Sequence, residues 1–287
     1  MPDIFIPYTG AQVIKVNGLC YALAEVVAGP YDEGVILEGE YADCDTCNQL
    51  WTPSLIDTDL WLDAADLTTI TEVAGAVLQW DDKSGKGNHA VQATGVEQPA
   101  TGTATIGGLN AIDFDTVDDF MNLTTPIPAT ADYAVVGIVD RPTVIGNDQI
   151  FVGSDDGDSK YPFLWNGVAL YTKFDVFNAV GNENVDGVHI LAGIRDAADD
   201  TWVRFDGVEG AKAATTAPTT LIIAQVGLAN SGFGDFKHEG PMGEFVLTKD
   251  NSTATLQRLE GYLAWKWGAQ ANLPVTHPYA LEAPTYA

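Results

Sequence analysis

The segment Trp80–Ala90, WDDKSGKGNHA, brings Asp81, Asp82, Ser84, Asn88 and His89 together in one short stretch. Carboxylates, a hydroxyl and an imidazole at such spacing could hold a cation or carry a proton. Gly85 and Gly87 between them permit left-handed turns, and Asp, Asn and Ser side chains in such turns commonly hydrogen-bond nearby backbone. The favoured reading is therefore structural: Asp81, Ser84, Asn88 and His89 tie a loop together.

Two other stretches concentrate acids. GSDDGDSKYP (153–162) offers Asp155, Asp156 and Asp158 as oxygen ligands for calcium, and DFDTVDDF (113–120) repeats the theme. Calcium takes about six to eight oxygens, and neither spacing is that of an EF-hand loop. In so acidic a chain, such runs are more often solvated loop tips. No cofactor is required by the sequence, and calcium is a candidate ligand for these loops.

The cysteines are Cys20, Cys44 and Cys47, an odd number that cannot all pair within one chain. Cys44-Asp-Thr-Cys47 has metal-ligand spacing, but a closed zinc site needs four ligands and no fourth lies nearby. Reduced, partly buried thiols are the leading reading. A zinc site and a Cys44–Cys47 redox pair are the alternatives.

Trp165, Tyr171, Phe174 and Phe177 lie beside or after the Asn166–Gly167 turn. Aromatic rings near Asp or Asn suit sugar stacking and hydroxyl recognition, so these four are the candidate glycan-binding residues. Their alternative is packing between two sheets.

Catalysis finds little support. A glycoside hydrolase needs two carboxylates flanking the scissile bond, and Asp206 and Glu209 merely flank a hairpin turn. No Gly-x-Ser-x-Gly elbow occurs, and the four histidines are scattered. No enzymatic role is expected.

The elements that must position these residues read as β-structure. The 287 residues carry 40 Asp plus Glu against 13 Lys plus Arg, a formal charge of −27. Phosphate neutralisation needs Lys and Arg, so nucleic-acid binding is disfavoured. No apolar run reaches the roughly 20 residues of a bilayer-spanning helix. The start, MPDIFIPYTG, has neither the basic nor the apolar region of a secretory signal, so synthesis in a cytosol without signal cleavage is expected.

Residues 1–50 show short β-like runs with Gly and Pro punctuation. From about residue 59, strands alternate with Gly, Asp and Asn turns. NAIDFD alternates, DYAVVGIVD is apolar on both faces, and the dipeptides Asn166–Gly167 and Asp206–Gly207 mark hairpins. One helix is predicted from Ser252 to Trp267, capped by Asn251 or Ser252 and ended at Gly268. Leu256, Leu259, Leu263 and Trp267 share a stripe while Trp265 points away, so the tail ANLPVTHPY is expected to cover Trp265.

Several of these segments carry a resemblance. LWLDAADLTTI, LQWDDKSGKGNHAVQ, QPATGTATIGGLNAIDFDTVDDFMNL and GEFVLTKDNSTATLQRLEGYLAWKWGAQANLPVTHPY together resemble the laminin-G-like, concanavalin A-type domains of phage and bacterial surface proteins, over residues 59–280. The N-terminal GLCYALAEV and YADCDTC are similar to a small cysteine-containing β-module at the front of phage virion proteins.

The resemblance implies an all-β fold: a two-sheet jelly-roll sandwich with one C-terminal helix, plus a small N-terminal β-module. It implies a virion-anchoring module at 1–50, a connector at 51–58, and the sandwich with its helix and tail at 59–287. The function implied is that of a non-enzymatic phage virion structural protein, a capsid decoration or head fibre, made in the host cytoplasm. Its implied partners are the major capsid protein or other virion proteins, further copies of itself, and a host-surface glycan. A tail or receptor-binding fibre and a carbohydrate-binding module of a bacterial surface protein are the alternative readings. Trp265 and Trp267 read as structural closures of the domain.

Overall fold

The computed structural model describes residues 13–16, 19–22, 41–42, 50–115, 117–129, 132–141, 149–154, 161–165, 170–173, 177–179, 186–214, 221–231 and 234–285. For 13–16, 19–22, 41–42, 149, 161–165, 170–173, 177–179, 230–231 and 234–236 it describes the backbone alone.

The chain divides into two compact units, residues 1–51 with 284–287 and residues 52–283. In the first, Val13–Val16, Leu19–Ala22 and Tyr41–Ala42 form an antiparallel sheet in sequence order. Leu50 bridges Thr285, and the Trp51 amide donates to the Pro284 carbonyl at 2.7 Å.

The second unit is mostly β, with one α-helix among the described residues. Its main strands are β1 (Thr58–Asp63), β2 (Ala76–Trp80), β3 (Ala100–Ile106), β4 (Leu109–Asp115), β5 (Met121–Ala129), β6 (Tyr133–Arg141), β7 (Gly187–Arg195), β8 (Asp200–Phe205), β9 (Leu221–Val226) and β10 (Glu239–Thr248). The large antiparallel sheet runs Val152–Gly153, β9, β5, Ala90–Val91, β2, β3, β4, β10, β6, β7, β8. β10 is its hinge strand: its first half pairs with β4, its second half with β1, and its other edge with β6.

β6, YAVVGIVDR, is buried at nearly every position. The physical reason is that both of its faces are covered. Helix α1 (Thr253–Lys266) packs on β6 and β7 from one side. On the other side the Phe245 ring of β10 approaches Phe151 at 6.3 Å between centroids. Phe151 directly precedes the strand at one end of the sheet path, so the sheet curls back on itself. Gly137 in β6 makes room there, since a Cβ would lie 2.3 Å from the Phe245 ring.

The helix starts where Ser252 Oγ accepts from the Thr255 amide, with Asp250 accepting from the Ser252 amide. It stops at Gly268, whose φ of +73° suits glycine. Leu256, Leu259, Leu263 and Trp267 are buried on one stripe. The Asp206–Gly207 turn has both residues at positive φ, joining β8 to Val208–Glu209 with Phe205 opposite Val208.

Candidate functional site

Asp82 is the hub of the loop after β2. Its Oδ1 accepts from the amides of Trp61 and Ser84, each at 2.9 Å. Its Oδ2 accepts from the Ser84 hydroxyl at 2.7 Å and the Asn88 amide at 3.0 Å. Asn88 Nδ2 donates to the Asp59 carbonyl at 2.8 Å, and the Asp82 amide donates to His89 Nδ1 at 3.1 Å. Asp81 Oδ1 accepts from Gln79 Nε2 at 2.6 Å and sits 3.1 Å from His89 Nδ1. Gly85 and Gly87 turn the loop at positive φ. The polar side chains thus hold the loop to β1 and to itself, with Asp82 rather than Asp81 at the centre.

A second cluster joins β1, β10 and α1. Glu244 is fully buried. Its Oε1 accepts from Trp61 Nε1 at 2.6 Å and the Tyr262 hydroxyl at 2.9 Å. Its Oε2 accepts from Lys266 Nζ at 2.6 Å and Trp267 Nε1 at 2.9 Å. Lys266 also donates to Asp63 Oδ1 at 2.6 Å, while Lys83 donates to Asp63 Oδ2 at 2.9 Å and lies 2.8 Å from Asp66. Strand register explains the meeting: Glu244 pairs with Asp63, and Val246 with Trp61. Burial pushes the Glu244 carboxyl above the usual carboxylate range, opposed by the Lys266 ammonium and reinforced by Asp63. Burial also works against charge on Lys83, yet its hydrogen bonds to Asp66 and Asp63 prevail and raise it.

A third cluster pins the tail. Arg204 of β8 makes a fork onto Glu260 of α1, Nε to Oε1 at 2.6 Å and Nη2 to Oε2 at 3.0 Å. Its Nη1 reaches Glu209 at 2.8 Å and its Nη2 the Gly207 carbonyl at 2.9 Å. His277 Nε2 stands 3.2 Å from Glu260 Oε2, and the Tyr279 amide donates to His277 Nδ1. Nearby, Asp206 accepts from the Ile190 amide and pairs with His189 Nδ1 at 2.7 Å.

The fourth cluster is acidic. Asp115, Asp118 and Asp119 each bring one carboxylate oxygen within 4.8 Å of the others. Asp115 Oδ1 accepts from the Val117 amide, and Asp119 Oδ2 from the Asp115 amide. Burial and then Asp115 push Asp119 up to about 7, and burial with Asp115 also raises Asp113. Three oxygens fall short of the six to eight that calcium takes, so the loop alone does not make a calcium cage.

Trp265 Nε1 donates to the Tyr279 carbonyl at 2.8 Å, and Trp267 points to Glu244. The tail lies against the Trp265 side of the helix. Asp155, Asp156, Asp158, Phe174, Cys44 and Cys47 lie outside the described residues, while Cys20, Trp165, Tyr171 and Phe177 lie in strands described by backbone alone. The Tyr161–Trp165 and Leu170–Lys173 strands pair antiparallel with Trp165 opposite Leu170, and Phe177 lies opposite Lys173.

The sequence reading passed over Glu244, Lys266, Asp63, Arg204 and Glu260. The signal available was an isolated charge inside an apolar strand, Glu244 in MGEFVLT and Arg204 in TWVRF. A charge there must be paired once buried.

No protein-family model and no curated protein matches the chain. Among solved structures, the chain is similar to a Trypanosoma rangeli sialidase in complex with 2,3-difluorosialic acid, at TM-score 0.51 and 11% identity, covering 73% of this chain and 33% of that one. The same sialidase in complex with 2,3-difluoro-KDN aligns at TM-score 0.50 and 12% identity, over 84% and 36%. Domain 4 of AbnA, a GH43 extracellular arabinanase from Geobacillus stearothermophilus, in complex with arabinotriose, aligns at only 0.43 and 15% identity, over 69% and 97%, too low to speak for a shared fold. The chain spans about a third of the length of the sialidases it matches, and at such identity the likeness is one of β-fold alone.

Proposed function

We propose that this chain is a non-enzymatic structural protein of a phage particle, of capsid-decoration or head-fibre type. In this reading residues 52–283 form a two-sheet jelly roll displayed outward, and residues 1–51 attach it to the capsid protein or another virion component. The observation that carries it is the state of Asp82, Glu260 and His277, which lie in the segments that resemble laminin-G-like domains. Each of them holds one part of the chain to another. A glycosidase pair would instead present carboxylates to a bound sugar.

The displayed unit binds a host-surface glycan through the Trp165–Phe177 region, several copies acting together, and Asp155, Asp156 and Asp158 are its candidate calcium ligands. Mass spectrometry of purified particles tests the placement: the chain is expected among the virion proteins. Its absence there, together with glycan-array binding by the isolated chain, supports the carbohydrate-binding module of a bacterial surface protein instead. Finding the chain on tails rather than heads supports a receptor-binding fibre.

A further inference from the structure

Lys266 Nζ is 2.6 Å from Asp63 Oδ1 and 2.6 Å from Glu244 Oε2. The side chains of Asp63 and Glu244 are 5% and 0% exposed, and that of Lys266 only 17%. The Lys266 ammonium also lies over the rings of Tyr262 and Trp267, at 5.4 and 5.3 Å from their centroids. An amine, a carboxyl that can acylate it and a second, fully buried carboxyl between aromatic walls are the parts needed for amide formation without a cofactor. We infer that Lys266 and Asp63 join in an intramolecular isopeptide bond, with Glu244 carrying the protons.

With Nζ 2.6 Å from Oδ1, the amine is held beside the carboxyl it must attack, the proximity that makes such a step effectively unimolecular. Glu244 takes a proton from the Lys266 ammonium and delivers it to Asp63 Oδ1, leaving a free amine facing a neutral acid. The nitrogen lone pair adds to Asp63 Cγ and the electron pair of its C=O bond moves onto Oδ2. Lys83 Nζ, 2.9 Å from that oxygen, steadies the charge. Glu244 then removes a second proton from nitrogen and passes it to Oδ1. The Cγ–Oδ1 bond breaks, water leaves, and the Oδ2 carbonyl re-forms. Of the three ammonium protons, two leave in the water and one stays on the amide; Glu244 ends as it began.

Burial favours each part of this sequence. A buried Glu244 holds a proton more readily than an exposed carboxylate, which suits a carrier that is loaded and emptied twice. Exclusion of water favours condensation over hydrolysis. The product replaces the Asp63–Lys266 charge pair by a neutral amide, and Glu244 keeps its hydrogen bonds from Trp61, Tyr262 and Trp267. It would also tie β1, the first strand of the unit, to the end of its helix, across 203 residues of sequence.

The test is the intact mass of the denatured full-length protein, which needs no variant to fold. The expected value is one water below the sequence mass, with a branched proteolytic peptide joining residues 63 and 266. K266R and D63A are each expected at their full sequence mass, and K266R to lose resistance to thermal unfolding. E244A is expected at full mass as well. A wild-type protein at full sequence mass overturns the inference, as does water lost at another site or a bridge formed by Lys83. Bridging that proceeds normally in E244A overturns the role of Glu244.

Discussion

Trp265 and Trp267 leave the same helix in different directions: the Trp265 indole donates to the Tyr279 carbonyl and the Trp267 indole to Glu244. One therefore binds the tail and the other binds the sheet. The pair explains why the end of the helix carries two large amphipathic rings with Lys266 between them. Each ring offers a broad apolar body and a single N–H that needs a partner once buried.

The tail contact predicts an unusual outcome at Gly261. An alanine in a helix interior is ordinarily favoured over glycine by about 1 kcal/mol. Here a Cβ would lie 2.6 Å from Tyr279 Cβ. Overpacking of that kind costs about 1–3 kcal/mol. G261A is expected to be destabilised in urea unfolding despite its better helix propensity.

Arg204 makes a planar fork onto a buried carboxylate, and lysine cannot reproduce that geometry. R204A leaves Glu260 charged and buried, and is expected to cost about 3–5 kcal/mol. R204K keeps the charge but loses the fork, and falls between R204A and wild type. Chemical denaturation of the three proteins side by side checks the ranking.

Asp82 accepts from three backbone amides and one hydroxyl. D82A strands those amides, at a cost on the order of 3 kcal/mol. D81A removes the contacts to Gln79 and His89 at a half-exposed position and is expected to cost less than about 1 kcal/mol. Equal effects of D82A and D81A in thermal unfolding would contradict the assignment of Asp82 as the hub.

Asp119 sets a pH dependence whose sign can be worked out. Burial first, then Asp115, raises its carboxyl to about 7 in the fold, against about 3.9 unfolded. Between those values the native chain holds more protons than the unfolded chain. The Asp119 contribution to stability therefore declines as pH rises from about 4 to about 7. D119N is expected to match wild type near the lower limit and to exceed it above the upper one, in urea midpoints measured across that range.

The local features were legible because their causes are local. Ser252 and Gly268 bound the helix through a side-chain oxygen and a positive φ. Asp206–Gly207 makes its hairpin because both residues tolerate positive φ. The apolar run of β6 announces a strand covered on both faces. The Glu244 cluster was illegible because its members are far apart: Asp63 and Lys266 are separated by 203 residues, and Trp61 and Glu244 by 183. Only the pairing of β1 with β10 brings them together.

By itself, then, the sequence determined the helix and its ends, the Asp206–Gly207 turn, the acid balance and the loop chemistry around Gly85 and Gly87, since these follow from backbone preference and neighbouring side chains. Tertiary structure decided what each polar group faces. It turned Asp82 into a loop anchor, set Glu244 beneath the helix, and put Tyr279 against Gly261. The physical reason is register: a strand places alternate residues on opposite faces, and which partner strand stands opposite is settled by long-range pairing.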